Sequence, residues 1–289
     1  MLIKIGFEIV FDLPAPTAMM LMLHTHPERL GDLRHPEKLV VEPDVPLGHF
    51  MDGFGNHAAR IFAPAGKLRL FYDNLVEDSG LHEPRIDGAR LHPVQELPEE
   101  CLPFLLASRY CEVDRMSQMA WDLFGKTPAT WERVQAVMDW THNHIQFGYA
   151  YARPDKSAFD ACNEKQGVCR DYMHLAITLL RALNVPARYA TGYLGDIGVP
   201  PAPFPMDFSA WFEVYLGGKW YTLDARHNEP RIARILQARG RDAVDVALTT
   251  TFGPSKLEKF VVWTDEVFDD SRQVRPAVSS AGLNAGSTV

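Results

Sequence analysis

Gln166-Gly167-Val168-Cys169-Arg170-Asp171-Tyr172-Met173-His174-Leu175-Ala176-Ile177 is the stretch on which the reading of this chain turns. A glycine delivers a cysteine to the first turn of a helix that the periodicity carries to about Leu183. At roughly 100° per residue, Tyr172, Leu175, Ala176, Leu179 and Leu183 form one apolar stripe. Cys169 falls at its edge, and Arg170, Asp171, Thr178 and Arg181 occupy the other side. A thiol in a helix's first turn feels the positive end of the dipole and unsatisfied N–H groups, which lower its pKa and favour thiolate. The same cysteine also suits a small apolar residue packed at a helix start. His174 lies roughly 140° around the helix and more than a turn along, badly placed to be that thiol's base.

Downstream, Asn184-Val185-Pro186 stops the helix. A strand is expected over Ala187–Leu194, then a Pro- and Gly-rich loop from Gly195 to Pro205. Strands over Phe208–Leu216 and Lys219–Asp224 flank Gly217-Gly218, a two-residue hairpin signal. With that turn, Leu216 pairs with Lys219 and Trp211 faces Asp224. Alternation then gives Ala210, Phe212, Val214, Leu216, Tyr221 and Leu223 a core face. The opposite face carries Ser209, Trp211, Glu213, Tyr215, Trp220, Thr222, Asp224 and Arg226, with Asp224 a diagonal neighbour of Ser209. A helix-borne cysteine facing two strand positions, the second an acid, is a layout of cysteine hydrolases. Farther on, 230–241 reads as helix, and 246–251 and 258–264 as strands.

Upstream, residues 1–95 read as a small antiparallel β-sandwich. Strands are expected over 3–11, 17–24, 38–42, 57–62 and 68–72, punctuated by turn residues. Near Pro93 and Pro98 the texture becomes helical, with helices expected over 100–106, 114–124, 129–145 and 158–162. His142 and His144 end the third of these, where imidazoles suit the C-terminal dipole in a structural role. The class is therefore α+β: a sandwich domain over 1–95, a core domain over 96–270 and a flexible, small-residue tail over 271–289.

Composition narrows the function. The chain has 289 residues, 46% hydrophobic, with a formal charge of −8. That charge works against phosphate-backbone binding, so no nucleic-acid partner is expected. No apolar run approaches membrane-spanning length and the first residues lack a signal peptide's organisation, so no membrane partner and a cytoplasmic location are expected. The four cysteines, at 101, 111, 162 and 169, include no Cys-x-x-Cys pair, which argues against structural zinc; Cys101, Cys111 and Cys162 read as packing residues. His24-Thr25-His26 puts two imidazoles on one strand face, but with no carboxylate or cysteine close by in sequence no metal is expected. No cofactor is called for, and no Asp-rich loop of EF-hand type asks for calcium.

Four segments together resemble the bacterial transglutaminase-like proteins, papain-like cysteine enzymes with an N-terminal β domain. They are Ser108–Asp114, Gly167–Asp171, Pro186–Tyr189 with Thr191–Tyr193, and Ala210–Tyr215 with Trp220–Asp224, in the family's order. The resemblance implies a Cys–His–Asp triad with Cys169 as nucleophile and Asp224 as the acid. Ser209 stands where the histidine normally precedes Ala-Trp, and a neutral serine cannot take a thiol proton. His227 is the nearest substitute base, although regular pleating points it to the wrong face unless the strand bends. The Cys169 N–H, with Gln166 or Asn163, would hold an oxyanion, and Trp211, Tyr215 and Trp220 would meet substrate. The implied activity is hydrolysis or acyl transfer on an amide or ester, of a peptide, protein or small molecule, through a thioester. The alternative is an inactive fold kept for binding.

Overall fold

The computed structural model describes residues 1–85 and 88–268; the tail expected over 271–289 lies outside the described residues. The first strand, β1 (Leu2–Leu13), is the spine of the N-terminal half. Ile3, Ile5, Phe7, Ile9, Phe11 and Leu13 are all buried, the period of two that a strand with one face on a core requires. β2 (Thr17–Leu21), β3 (Val40–Glu42), β4 (Gly48–Met51), β5 (His57–Ala63) and β6 (Gly66–Glu77) follow. The helical layer comprises α1 (Val113–Phe124), α2 (Trp131–His144), α3 (Ala158–Glu164) and α4 (Cys169–Ala182), with the two-residue strands β7 (Gln146–Phe147) and β8 (Gln166–Gly167) between them. The chain closes with β9 (Ala187–Leu194), β10 (Ser209–Leu216), β11 (Lys219–Leu223), β12 (Arg234–Gly240), β13 (Thr249–Thr251) and β14 (Lys256–Glu266).

Two antiparallel sheets, ordered β14-β1-β6-β3 and β13-β2-β5-β4, bury Phe7, Ile9, Leu21, Ile61 and Leu70 between them. This is the expected sandwich, with one difference in how it is built. β13 and β14, placed in the core domain by the sequence reading, pair instead with β2 and β1, as in Thr250↔Met20 and Phe7↔Val262. The chain leaves the sandwich near residue 95 and returns to complete it. Strand pairing across such separations leaves no local trace in sequence. Gly6 marks the crowding at the spine, since a Cβ there would collide with the Tyr72 carbonyl and the Trp263 indole.

A third antiparallel sheet, ordered β11-β10-β9-β12, carries α4 on one face. Ala210, Phe212, Val214, Leu216, Tyr221 and Leu223 pack with Leu175, Ala176 and Leu179, the face read from the hairpin. The register runs from Leu216↔Lys219 to Phe212↔Leu223, set by Gly217 and Gly218 at positive φ.

Two expectations fail for physical reasons. The helix expected over 230–241 is strand β12, which pairs with β9 through a register shift between Leu236 and Ala238. That irregularity, in a strand buried on both faces, erases the alternation that identifies a strand. The α4 helix, expected to be amphipathic, is buried on every side from Asp171 to Ala182. Its Arg181 is satisfied by the carbonyls of Ala187, Leu106 and Arg241 at 2.9, 3.0 and 2.6 Å. Among the described residues no helix is long and apolar enough to cross a membrane.

Candidate active site

Val168 caps α4 and Cys169 is its first residue. The Val168 N–H donates to Asp171 Oδ2 at 2.8 Å, tying the incoming chain to the first turn. Buried Lys156 holds the strand before it, donating from Nζ to the carbonyl of Gln166 at 2.9 Å and of Tyr151 at 3.0 Å. The ladder between β10 and β11 ends at Phe212↔Leu223, so residues 209–211 have no β11 partner. In that open stretch the Ala210 N–H donates to the Cys169 sulfur.

Burial pushes the Cys169 thiol up, with Asp207 and Asp171 adding to the shift; Arg226 and the Ala210 N–H oppose it. The low thiol pKa expected from the helix start is therefore corrected. Removing the sulfur from water outweighs the favourable end of the helix, although part of the residue still reaches solvent. Asp207 accepts from the Phe208 N–H at 2.7 Å. Burial pushes its carboxyl up to about 6, against the pull of that N–H and of Arg226. The Arg226 guanidinium lies 3.9 Å from the centre of the Phe147 ring. Phe147, Tyr149 and Phe204 form a triangle of rings with centroids 5.3 to 6.0 Å apart. Burial, then Asp207 and Cys169, push the Tyr149 phenol up to about 12. Asp207, Tyr149 and the aromatic triangle escaped the sequence reading, because they lie on irregular chain that no periodicity marks.

Asp224 follows the last residue of β11 and is buried. Its Oδ1 accepts from the N–H groups of Arg226 and His227 at 2.9 and 3.1 Å. Its Oδ2 accepts from His227 Nδ1 at 2.8 Å and Arg234 Nη2 at 2.9 Å. Burial alone would raise this carboxyl, but Arg234 and His227 together hold it well below the usual carboxylate range. The expectation that His227 points to the wrong face fails because the chain turns after Leu223. The Asn228 N–H closes that turn on the Asp224 carbonyl at 2.8 Å and folds the imidazole back onto the acid.

The remaining residues named from sequence are more dispersed. Ser209 opens β10 opposite Gly192, its carbonyl accepting from Thr191 Oγ1 at 3.1 Å. Gln166 sits in β8 opposite Gln146, and Asn163 is exposed on α3. The three strand aromatics expected to meet substrate lie at separate places on the sheet. Trp211 is buried against Ala190 and Leu236, with the Arg234 guanidinium 5.2 Å from its ring centre. Tyr215 and Trp220 pack on each other with centroids 5.4 Å apart, near the hairpin turn, six residues or about 20 Å along β10 from Ser209. His24 and His26 also part company, since His26 Nδ1 accepts from the Glu28 N–H at 3.2 Å to cap the short helix Pro27–Asp32. His142 and His144 bond the carbonyls of Ala225 and Cys162 at 3.2 and 2.7 Å. His174 is buried with its Nε2 accepting from the Ala243 N–H at 3.2 Å.

Residues 118–225 match the transglutaminase-like superfamily, a segment holding both Cys169 and Asp224. A solved structure of a candidate cysteine protease from Cytophaga hutchinsonii is 29% identical with a TM-score of 0.80, covering 98% of this chain and 95% of that one. An uncharacterised Mycobacterium leprae protein is 25% identical over 189 residues, 64% of this chain and 67% of its own length. Human kyphoscoliosis peptidase is 28% identical over 127 residues, 42% of this chain but only 19% of the peptidase. The fold supports a function of cysteine-hydrolase type. With the matched segment carrying the cysteine helix and its facing hairpin, residues 118–225 form a transglutaminase-like superfamily domain.

Proposed function

We propose that the protein is a cysteine hydrolase or acyltransferase acting on an amide or ester of a peptide, protein or small molecule. Cys169 Sγ attacks the carbonyl carbon, and its proton passes to His227 Nε2. The imidazolium returns that proton to the leaving amine or alcohol, and water or an amine then releases the acyl group from the thioester. The Asp224–His227 contact of 2.8 Å carries this reading. A carboxylate on Nδ1 keeps the proton there and leaves Nε2 bare as acceptor. Arg226, between these two residues in sequence, acts on the Cys169 thiol, which supports placing the whole turn beside the nucleophile. His227 thus takes over the role that Ser209 cannot fill, in a triad whose usual histidine position is degenerate. The exposed ring of Phe204, with Phe147 and Tyr149, offers an apolar wall to the substrate. Four free thiols suit a reducing compartment, which supports a cytoplasmic location.

The thiol's upward shift favours a second reading, a fold kept for ligand binding without turnover. Hydrolysis of p-nitrophenyl acetate and a peptide-amide library separates the two. The first reading expects an acyl adduct on Cys169 by mass spectrometry, loss of turnover in Cys169→Ala and a fall of about 10²–10⁴-fold in folded His227→Gln. Turnover unchanged in Cys169→Ala refutes it.

A further inference from the structure

Outside the cysteine site, three histidines converge at one end of the sandwich. His24 follows β2, His49 lies in β4 and His57 opens β5. The His24 and His57 rings stack with centroids 4.1 Å apart, and His49 lies 5.1 Å from each. One nitrogen from each imidazole lies within 4.8 Å of the other two; among the described residues this is the one group of three such side chains close enough to share an ion. The register explains the meeting of two of them. His49 is opposite Ala59 and His57 opposite Met51, which makes the histidines diagonal neighbours on one face of the sheet.

Glu37, from the segment leading to β3 in the other sheet, reaches across to this cluster. Its Oε2 lies 3.1 Å from His24 Nδ1 and 3.6 Å from His57 Nδ1, while its Oε1 accepts from the Thr25 N–H at 2.6 Å. The carboxylate therefore holds the His24 proton on Nδ1. His24 is only 4% exposed, and its Nε2 is buried with no partner in the chain. An imidazole lone pair buried in this way is costly unless something binds it. A carboxylate on one ring nitrogen and a bare lone pair on the other is how metal-ligating histidines are oriented.

We propose that His24, His49 and His57 bind a late first-row transition-metal dication, with Zn²⁺ as the reference ion and Glu37 orienting His24. Neutral imidazoles suit such an ion, whereas Ca²⁺ and Mg²⁺ require oxygen ligands. Metal–nitrogen bonds of about 2.0–2.1 Å place tetrahedral ligands about 3.4 Å apart, so the rings close in on binding. His49 is exposed and can make that movement, and it leaves the ion an entry path. The site lies outside the segment matched to the superfamily, on the companion sandwich. Its role there is a clamp joining the segments around β2, β4 and β5 at the mouth between the sheets.

The test uses the full chain carrying Cys169→Ser, so that the active-site thiol does not compete, stripped with chelator and passed through gel filtration. Zn²⁺ is titrated against a chromophoric chelator, and Co²⁺ is followed by its visible ligand-field bands. We expect one equivalent of Zn²⁺, a Co²⁺ spectrum of low-coordinate nitrogen ligation and a rise in Tm on binding. His49→Ala and His57→Ala, changed at the more exposed positions so that folding survives, lose stoichiometric binding. Glu37→Gln weakens it by about 10–100-fold, and His35→Ala and His82→Ala leave it intact. A chain that retains no Zn²⁺ at micromolar free metal overturns the proposal. So does a folded His49→Ala/His57→Ala variant that still binds the same equivalent.

Discussion

Replacing Asp224 by asparagine tests whether the buried acid organises both the turn and its histidine. An asparagine of the same size can keep its oxygen toward the Arg226 and His227 N–H groups. Its amide nitrogen then faces His227 Nδ1 and Arg234 Nη2, a donor set against donors at contacts now of 2.8 and 2.9 Å. Arg234 keeps one anionic partner in Glu83. Breaking a buried ion pair costs about 3–5 kcal/mol, and the surviving Glu83 contact places this case near 3 kcal/mol. For a protein of this size that corresponds to a fall in Tm of about 6–12 °C. The pH dependence follows from the direction of the shift. The folded-state pKa of Asp224 lies below its unfolded value, so its contribution is complete above the unfolded carboxylate pKa of about 3.9. It is lost as pH falls through the folded pKa. Thermal melts followed by circular dichroism should therefore show a constant gap between wild type and variant from pH 8 to pH 5, narrowing in strong acid. A gap under 2 °C at pH 7, or one that widens in acid, would refute the reasoning.

Three further outcomes follow from the same geometry. Alkylation of wild-type Cys169 by iodoacetamide should have its midpoint above the ordinary thiol value of about 8.5. Asp207→Asn, which removes a charge that raises the thiol, should lower that midpoint, while Arg226→Gln should raise it; the opposite order would contradict the charge arrangement. Ser209→His in a His227→Gln background should recover esterase activity on activated esters, because Asp224 is then free to orient a histidine at the family position; a folded variant with no gain counts against that vacancy. Gly6→Ala should destabilise the sandwich by about 1–3 kcal/mol through overpacking, read as a lowered urea midpoint, and an unchanged midpoint would mean that Tyr72 and Trp263 can yield.

The features legible in the linear chain were those built from neighbours in sequence. The α4 helix shows itself by periodicity and starts at the cysteine because Val168 and Asp171 close its first turn. The hairpin register follows from two adjacent glycines, and the inward face of β1 from strict alternation. The return of β13 and β14 to the sandwich was not legible, because pairing partners some 230 to 260 residues apart share no local pattern. Nor was strand β12, whose irregularity and two-sided burial hide its period.

At the site the division is sharper. The types and spacing of Cys169 and Asp224 were readable. The ionisation of these groups was not, since it depends on which charges and how much solvent surround them after folding. Desolvation reverses the expected direction of the Cys169 shift, and a turn closed by one backbone hydrogen bond brings His227 onto Asp224. The three histidines meet for the same reason: residues 24, 49 and 57 are strangers along the chain and become neighbours only when sheet register and sandwich packing bring their strands together.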